Sequence, residues 1–331
     1  MHRSSASSTE CVSDAKTGTT GSAGMETESL SARLTAAGLG RVANDIIQLS
    51  MPSIRLHCRQ TTDQAELPLG NSRLGGRPDL PSGKNWPAWQ GSPMAFVGQV
   101  NLADIAAHDQ EGHLPHSGLL SFFCAINEMG LIQSLGDPSC WTVSHFDGDP
   151  ATLVQLPLPP DLPKRLQFRG CETSFSREPT LPDVRSRGIL NLGLSEPERN
   201  AYIDVMTGVD VNFLGVFNHH LLGYPYTLND LPFIAGYLKA HGVADPYAIF
   251  LGLSNEELQH RLQLLNLPHK WEDEQDLRDK ADMEWRLLLQ VYTNEEAQMI
   301  WAASGVLHFC IPKEALSRRD FDRVWVEMQF V

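Results

Sequence analysis

Residues 94–100 read MAFVGQV, and after a loop residues 117–125 read SGLLSFFCA. Towards the other end of the chain, residues 285–291 read WRLLLQV and residues 304–312 read SGVLHFCIP. With one gap, the two copies share six identical residues, namely Gln99/Gln290, Val100/Val291, Ser117/Ser304, Gly118/Gly305, Leu120/Leu307 and Phe122/Phe309. A stretch that occurs twice indicates an internal repeat, and this repeat decides which fold we expect.

Each copy predicts two β-strands. Alternate side chains of a strand point to opposite faces, and one face of the first strand is wholly apolar in both copies. The other face carries Gln99 or Gln290. Because a buried amide must find hydrogen-bond partners or destabilise the fold, two interpretations stay open. Either each Gln satisfies the backbone of a neighbouring loop, or both Gln side chains line a ligand groove.

A third strand completes each copy, because residues 141–146 and 324–330 are also strand-like. We therefore expect an α+β fold with a duplicated β-rich unit, related by a pseudo-two-fold axis and built of mostly antiparallel strands, together with a mixed helical insert. The expected boundaries are about 91–147 for the first unit, about 148–283 for the insert and about 284–331 for the second unit.

The N-terminal stretch has a different composition from the rest of the chain. Of residues 1–28, 14 are Ser, Thr or Gly, and such a segment cannot bury enough apolar surface to offset its ordering entropy. We expect a disordered, dispensable tail over residues 1–28 and a single domain over residues 29–331.

Composition argues against some classes of function. The chain has 331 residues, 42% hydrophobic and 20% charged, with a formal net charge of −14. This charge makes a nucleic-acid partner unlikely, since phosphate backbones select clustered Lys and Arg. No run approaches the roughly 20 apolar residues of a membrane span. Six widely spaced cysteines without a C-x-x-C pair, and no hydrophobic leader, favour a reducing, cytosolic setting.

Two loops contain the residue types that bind ligands. Residues 73–81 read RLGGRPDLP, in which glycine and proline impose a stiff and irregular path. Arg73 and Arg77 could donate charge-assisted hydrogen bonds to an acidic group. The loop tryptophans Trp86, Trp89, Trp271 and Trp301 could form the apolar wall of a recognition groove. Rigid loops on a β scaffold commonly carry binding residues, so we expect these segments and the loop after His220 to meet at one concave surface. The alternative is that they only cover the ends of the sheet.

Several motifs occur in the order found in the YwqG family, the DUF1963 domain, and the chain resembles that family from about residue 50 to its end. These motifs are RLGGRPDLP at 73–81, FVGQVNL at 96–102, GLLSFF at 118–123, HLLGYP at 220–225, LLQV at 288–291 and FDRVW at 321–325. The chain departs from the family at Tyr292-Thr293, where an acidic pair is common, and at Ala302-Ala303, where Gly-Asp is usual. The resemblance implies an α+β fold with a duplicated β-rich unit and no particular activity, cofactor or catalytic residue.

His219 and His220 are the best candidates for chemistry. Adjacent histidines on an extended segment point apart, so they rarely bind one metal ion together, and a structural role is the simpler interpretation. We expect a cytosolic module that binds a protein or small ligand, without metal or cofactor. The alternative is a hydrolase-like enzyme, with or without the help of a metal, that uses His219 or His220 at the repeat interface. The candidate ligand-binding residues are Arg73, Gly75, Gly76, Arg77, Trp86, Gln99, His220, Tyr224 and Gln290.

Overall fold

The computed structural model describes residues 30–60, 67–207, 219–228, 231–243, 245–248, 254, 256–257, 259–260 and 273–330. The tail expected over residues 1–28 lies outside this set. Ten described strands form one antiparallel sheet in the order β14-β13-β12-β11-β1-β10-β2-β6-β7-β8. Their bounds are β1 Met51–Gln60, β2 Arg73–Leu74, β6 Ala95–Asn101, β7 Leu119–Cys124, β8 Trp141–Phe146, β10 Cys171–Thr180, β11 His219–Leu221, β12 Trp285–Tyr292, β13 Gly305–Pro312 and β14 Trp325–Phe330.

Two small sheets accompany the large one. In the first, β3 (Asp79–Pro81) pairs with β9 (Leu153–Gln155), and in the second, β4 (Ala88–Trp89) pairs with β5 (Ser92–Pro93). The β3–β9 pair holds the end of the Gly- and Pro-rich loop that follows β2. This loop is therefore ordered by backbone pairing as well as by its composition.

The strands predicted from the two sequence copies are confirmed. β6, β7 and β8 form one three-stranded meander, and β12, β13 and β14 form the other. The strict alternation expected within the first strand of each copy is not observed. The register shifts between Phe96 and Gly98 in β6 and between Leu287 and Leu289 in β12, so a β-bulge interrupts each strand before its Gln.

The stretch expected as an insert is not separate from the sheet. β10 and β11 lie within residues 148–283, and together with β1 and β2 they join the two meanders. β1 pairs with β10 from Met51↔Thr180 to Gln60↔Cys171. This continuous ladder is the centre of the sheet, and the sequence repeat gave no indication of it.

The sheet curls until its two edge strands approach each other. The rings of Trp141 in β8 and Trp325 in β14 lie 5.3 Å apart, and Trp141 Nε1 donates a hydrogen bond to the Val324 carbonyl at 2.8 Å. Phe122 and Phe309, which occupy matching places in the two sequence copies, pack edge to face at 5.1 Å. Burial of these apolar residues in one continuous core supplies most of the stabilisation of the fold.

Helices cover the sheet and form a second, smaller core. Their bounds are α1 30–36, α2 Ala43–Leu49, α3 Leu102–Ile105, α4 Arg187–Leu190, α5 Glu196–Thr207, α6 Ile234–Ala240, α7 Glu274–Glu284 and α8 Lys313–Ser317. The first two helices pack with α4 and α5 around Leu34, Ile46 and Tyr202. In the described part of the chain, no helix is both long and apolar enough to traverse a lipid bilayer.

Candidate functional site

Two rows of polar residues cross the sheet. Residues that pair directly on antiparallel strands have side chains on the same face, so each row can be followed through the strand registers. The first row, which we call the closed row, is Arg59, Glu172, Arg73, Gln99, Ser121 and Ser144. The second, the open row, is Ser176, Arg55, His220, Gln290, His308 and Glu327.

In the closed row, Arg73 and Gln99 bind the carboxylate of Asp79. Arg73 Nη2 lies 2.6 Å from Asp79 Oδ2, and Gln99 Nε2 donates to the same oxygen at 2.8 Å. The Gly70 N–H is a third donor to this oxygen, at 2.8 Å. The side chains of Arg73 and Asp79 are only 2% and 0% exposed. A carboxylate from the following loop thus fills the space above the row.

Arg73 also fixes the loop backbone. Its guanidinium donates to the carbonyls of Pro68 and Arg77, at 2.8 and 3.1 Å. Burial lowers the pKa of Arg73, while Asp79 acts in the opposite direction. Gly75 and Gly76 follow with φ of 63° and 75°, and a Cβ on Gly75 would lie 2.3 Å from the Arg169 carbonyl oxygen. These two predicted site residues are therefore required by the backbone path.

In the open row, three side chains hold the loop that follows β11. Gln290 Oε1 accepts from the Tyr226 N–H at 2.9 Å, and His308 Nε2 lies 2.8 Å from the Tyr226 carbonyl. His220 Nε2 lies 3.1 Å from the Tyr224 carbonyl. The corresponding bond in the closed row runs from the Asp79 N–H to Gln99 Oε1 at 2.9 Å. The first interpretation of the two Gln residues, that they satisfy loop backbone, is thus confirmed.

The loops held by the two rows share a pattern that our sequence alignment missed. Leu74-Gly75-Gly76-Arg77-Pro78 and Leu221-Leu222-Gly223-Tyr224-Pro225 both follow L-x-G-x-P. Leu222 and Gly223 have φ of 60° and 70°, in the same left-handed region as the glycines of the first loop. A non-glycine residue rarely adopts this conformation, so the leucine conceals the match in sequence.

A cavity of about 240 Å³ opens above the open row. Its lining residues are Leu30, Arg33, Ser53, Arg55, Glu178, Pro179, Thr180, Leu181, Val205, Met206, Thr207, His220, Tyr224, Pro225, Tyr226 and Gln290. Arg55, His220 and Gln290 come from three adjacent strands and form its floor. Gln290 therefore fits both interpretations, since it holds the loop and also lines a cavity.

Three charged residues line the cavity, namely Arg33, Arg55 and Glu178. Arg33 Nη2 donates to the Val205 carbonyl at 3.1 Å. Arg55 Nη1 lies 3.4 and 3.2 Å from the two Glu178 carboxylate oxygens, and these side chains are 30% and 35% exposed. Thr180 Oγ1 donates to the Met51 carbonyl and accepts from the Tyr224 N–H, both at 2.9 Å. Burial, followed by Asp282, raises the pKa of Tyr224 to about 12, so its hydroxyl stays protonated at neutral pH.

The two adjacent histidines have different partners. His219 Nδ1 accepts from the Tyr292 N–H at 3.2 Å, and its Nε2 lies 3.0 Å from the Asn294 amide nitrogen. Burial, followed by the neighbouring His220, lowers the pKa of His219 to about 4. His219 is therefore a neutral, structural residue, and His220 is the one that lines the cavity.

The structure divides the predicted site residues between the two rows. His220, Tyr224 and Gln290 meet at the cavity. Arg73, Gly75, Gly76, Arg77 and Gln99 belong to the closed row and its loop. The strand order places β1 and β10 between β2 and β11, and of the two groups only the one with His220, Tyr224 and Gln290 lines the cavity.

The described tryptophans that we expected to form a groove do not line the cavity and make other contacts. Trp86 is half-buried against Phe123, and its Nε1 donates to the Met94 carbonyl at 2.8 Å. Trp89 Nε1 donates to Asp137 and Ser139, and Trp301 is fully buried against Phe168. Trp271 lies outside the described residues.

Sequence reasoning missed Arg55, Glu178, Thr180 and Tyr226 at the cavity. The signal for Arg55 was its position between the apolar Ile54 and Leu56 of β1. Among the described residues, no group of three or more His, Cys, Asp or Glu side chains is arranged to hold a metal ion. The groups that line the cavity can bind a small polar molecule by hydrogen bonds and charge.

Comparison with known proteins identifies the family. A search of curated proteins found no match. The model of a family described as a domain of unknown function, DUF1963, matches residues 72–329. This range includes every member of the two rows except Arg55 and Arg59 of β1, and every other described strand of the large sheet up to the penultimate residue of β14. The narrower YwqG label stays an expectation from the motifs. The chain belongs to the DUF1963 family.

Proposed function

We propose that this protein is a binding module for a small ligand that carries a carboxylate or a similar oxyanion together with a hydrogen-bond donor. The ligand occupies the 240 Å³ cavity above the open row. Arg55 binds its oxyanion, Glu178 accepts from its donor group, and Thr180, His220 and Gln290 line the space around it.

The observation that supports this most directly is the difference between the rows. In the closed row, Asp79 supplies a carboxylate to Arg73 and Gln99. The equivalent loop residue in the open row is Tyr226, which keeps the backbone bond to Gln290 but supplies no carboxylate. A ligand carboxylate in the cavity would take a place like that of the Asp79 side chain.

Arg55 is suited to this role by its partial exposure. It approaches Glu178 through Nη1, and a hydrogen-bonded pair of this exposure is weak. Its guanidinium has five N–H donors in a planar fork, which matches the geometry of a carboxylate. A ligand with both an acidic group and an amine or hydroxyl group would complement Arg55 and Glu178 together, as amino acids and hydroxy acids do.

The cavity favours binding over the alternative of an enzyme that uses His219 or His220. His219 is held by Tyr292 and Asn294 away from the cavity floor. His220 Nε2 lies within hydrogen-bond distance of the Tyr224 carbonyl, which is a structural role. A general base would need to present this nitrogen to the substrate.

We also propose that the two halves are duplicated units, wider than the sequence copies indicated. Gln99 pairs with Ser121 and Gln290 pairs with His308 at matching positions after matching bulges. A Cβ on Gly118 would meet the Phe146 carbonyl in β8, and one on Gly305 would meet the Gln329 carbonyl in β14, each at 2.6 Å. The L-x-G-x-P loops extend the correspondence to β2 and β11. Each unit would then consist of one meander, one short strand and one strand of the central β1–β10 pair.

The cytosolic setting stays part of this proposal. It is supported by the buried Cys124 and Cys310 in strands, where a thiol acts as a small hydrophobe. Burial raises the pKa of Cys58 to about 12, which suppresses its reactive thiolate form. Cell fractionation tests it, and recovery of the protein in a secreted fraction would contradict it.

Arg55→Gln tests the ligand site, with Arg59→Gln as the matched control. Both arginines lie on the same face of β1 and carry the same charge, but Arg59 pairs with Glu172 in the closed row, where its side chain is 82% exposed. The probes are the amino acids and a set of small hydroxy acids, measured by thermal shift and then by calorimetry. A ligand that binds only the folded state raises the melting temperature.

We expect at least one probe to bind the wild-type protein saturably. Loss of charge-assisted hydrogen bonds should weaken its binding about tenfold or more in Arg55→Gln, and less than about twofold in Arg59→Gln. Failure of every probe to bind, or equal losses in the two variants, would contradict the proposal.

A further inference from the structure

A second cleft, of about 350 Å³, lies away from both rows at the base of α8. It is lined by Gly112, His113, Leu114, Arg286, Lys313, Leu316, Ser317 and Arg319. Arg286 comes from the start of β12, Lys313 is the first residue of α8, and Arg319 follows the end of that helix. Three basic side chains therefore line one cleft in a chain whose formal net charge is −14.

The three cations of the cleft outnumber the acids that interact with them. Arg286 uses Nη1 for the backbone carbonyls of Asp282 and Trp285, at 2.9 and 2.8 Å. Glu314 is bound to Arg318, on the neighbouring position of the same segment. Within the described residues, neither Lys313 nor Arg319 forms a salt bridge. Asp282 is the acid that interacts with both Arg286 and Lys313, so the cleft keeps an excess of positive charge.

Partial burial and the neighbouring positive charge both affect the pKa of Lys313. Burial lowers its pKa, and the neighbouring Arg286 lowers it further, while Asp282 acts in the opposite direction. Burial likewise lowers the pKa of Arg286. A bound anion would relieve the repulsion between these two cations and compensate for their desolvation.

Arg319 occupies a backbone position that normally belongs to glycine. The Asp320 N–H bonds to the Ala315 carbonyl and the Arg319 N–H bonds to the Leu316 carbonyl, both at 2.9 Å, which is the Schellman ending of a helix. Arg319 is its left-handed residue, with φ of 59°. Glycine adopts this conformation without strain, so an arginine here costs stability and places a guanidinium at the cleft.

We propose that Arg286, Lys313 and Arg319 form a binding site for a small oxyanion with two or more negative charges, such as a phosphate group or a polycarboxylate. This site is distinct from the cavity of the open row. Lys313 and Arg319 contact the anion from the two ends of α8, and Arg286 closes the base of the cleft. The exposed His113 lies at the rim.

The test uses inorganic phosphate and citrate as probes, measured by isothermal calorimetry on the full chain at low ionic strength. Arg319→Gly removes the guanidinium and also relieves the left-handed strain. Lys313→Gln removes the second cation. Arg318→Gln is the matched control, because it removes the same charge from the adjacent residue, which pairs with Glu314 at the exposed surface.

We expect saturable binding of phosphate or citrate that weakens as NaCl is added. Arg319→Gly and Lys313→Gln should each weaken it about tenfold or more, and Arg318→Gln less than about twofold. Arg319→Gly should also raise the melting temperature by about 2 °C, so that affinity falls while stability rises. Reduced affinity in this variant therefore cannot come from misfolding.

Three results would overturn the proposal. The first is that neither probe binds the wild-type protein saturably. The second is that Arg318→Gln weakens binding as much as Arg319→Gly does, which would indicate only a diffuse effect of net charge. The third is that Arg55→Gln weakens phosphate binding as strongly as Arg319→Gly, which would place the anion in the cavity of the open row. Binding of one probe but not the other supports the site and identifies which oxyanion it prefers.

Discussion

The closed row and the open row have the same backbone plan and different contents. In both, a Gln after a bulge accepts a hydrogen bond from a loop N–H, and the residue beside it reaches a carbonyl of the same loop. In the closed row the loop returns a carboxylate, Asp79, that is fully buried. In the open row the loop contributes Tyr226 at the matching position, and a cavity lies above the row.

This difference gives the closed row a role in stability and leaves the open row for the binding that we propose. A buried ion pair with additional hydrogen bonds rigidifies the loop that contributes it, and breaking such a pair leaves an uncompensated charge. The open row holds its loop mainly through backbone groups, which leaves Arg55 and Glu178 partly exposed. The same scaffold can therefore support a structural clamp on one side and a ligand site on the other.

The largest expected effect comes from removing the Asp79 carboxylate of the closed row. Asp79→Asn leaves the Arg73 charge buried without a carboxylate, and this should lower the free energy of unfolding by about 3–5 kcal/mol. Glu172→Gln is the control in the same row, because its partner Arg59 is exposed, and we expect a change of about 0.5 kcal/mol or less. Urea denaturation measures both. Equal losses in the two variants would show that Asp79 has no special structural role.

The next effect concerns the loop of the closed row. Gly75→Ala should lower the free energy of unfolding by about 2–3 kcal/mol, since the new Cβ adds a clash to a left-handed backbone. The clash is with the Arg169 carbonyl oxygen, at 2.3 Å. Gly83→Ala separates the two causes, because Gly83 has φ of 86° with nothing within 4 Å of a Cβ. Denaturation curves that superimpose for these variants would leave only the backbone strain as the cause.

The next effect is smaller and pH-dependent, and it concerns the contribution of Glu327, in the open row, to the free energy of unfolding. Burial outweighs the opposing hydrogen bond from the Tyr247 hydroxyl, at 2.6 Å, and the net pKa of Glu327 is raised to about 7. The folded state therefore holds this proton more tightly than the unfolded state. The resulting stabilisation is complete below the ordinary pKa of 4.5 and is lost as the pH rises through about 7.

Glu327→Gln keeps the shape and removes the titration. Relative to the wild-type protein, the variant should become more stable by about 2 kcal/mol between about pH 5 and pH 8.5. Burial lowers the pKa of His308 to about 4, so its own stabilisation is lost as the pH falls from 6.5 towards 4, in both proteins alike. A difference that does not change with pH would refute the raised pKa of Glu327.

The sequence predicted the strands that carry a long apolar run or a clear alternation, and it failed for the shortest strands. β7 and β13 are almost continuously buried, and both were found from the repeat. β2 and β11 have two and three residues, which is too short for any periodicity, although they position Arg73 and His220. The α+β class followed from the first kind of strand, and the joining of the two halves depended on the second.

The candidate site was predicted in part for a related reason. His220, Tyr224 and Gln290 lie in motifs with unusual residues and were selected. Arg55 and Glu178 alternate with other residues on long strands and look like ordinary surface charge. Their meeting depends on the register of β1 with β10, which joins residues about 120 positions apart and leaves no local mark.

The β1–β10 ladder carries members of both rows, and this has a consequence for how the protein can change over evolution. Arg55 and Arg59 lie on β1, and Ser176 and Glu172 lie opposite them on β10. Inserting or deleting one residue in either strand would turn every side chain beyond it to the other face. Such a change would damage the clamp and the proposed ligand site at once. Length variation should therefore collect in the connecting loops, while these two strands keep a constant number of residues.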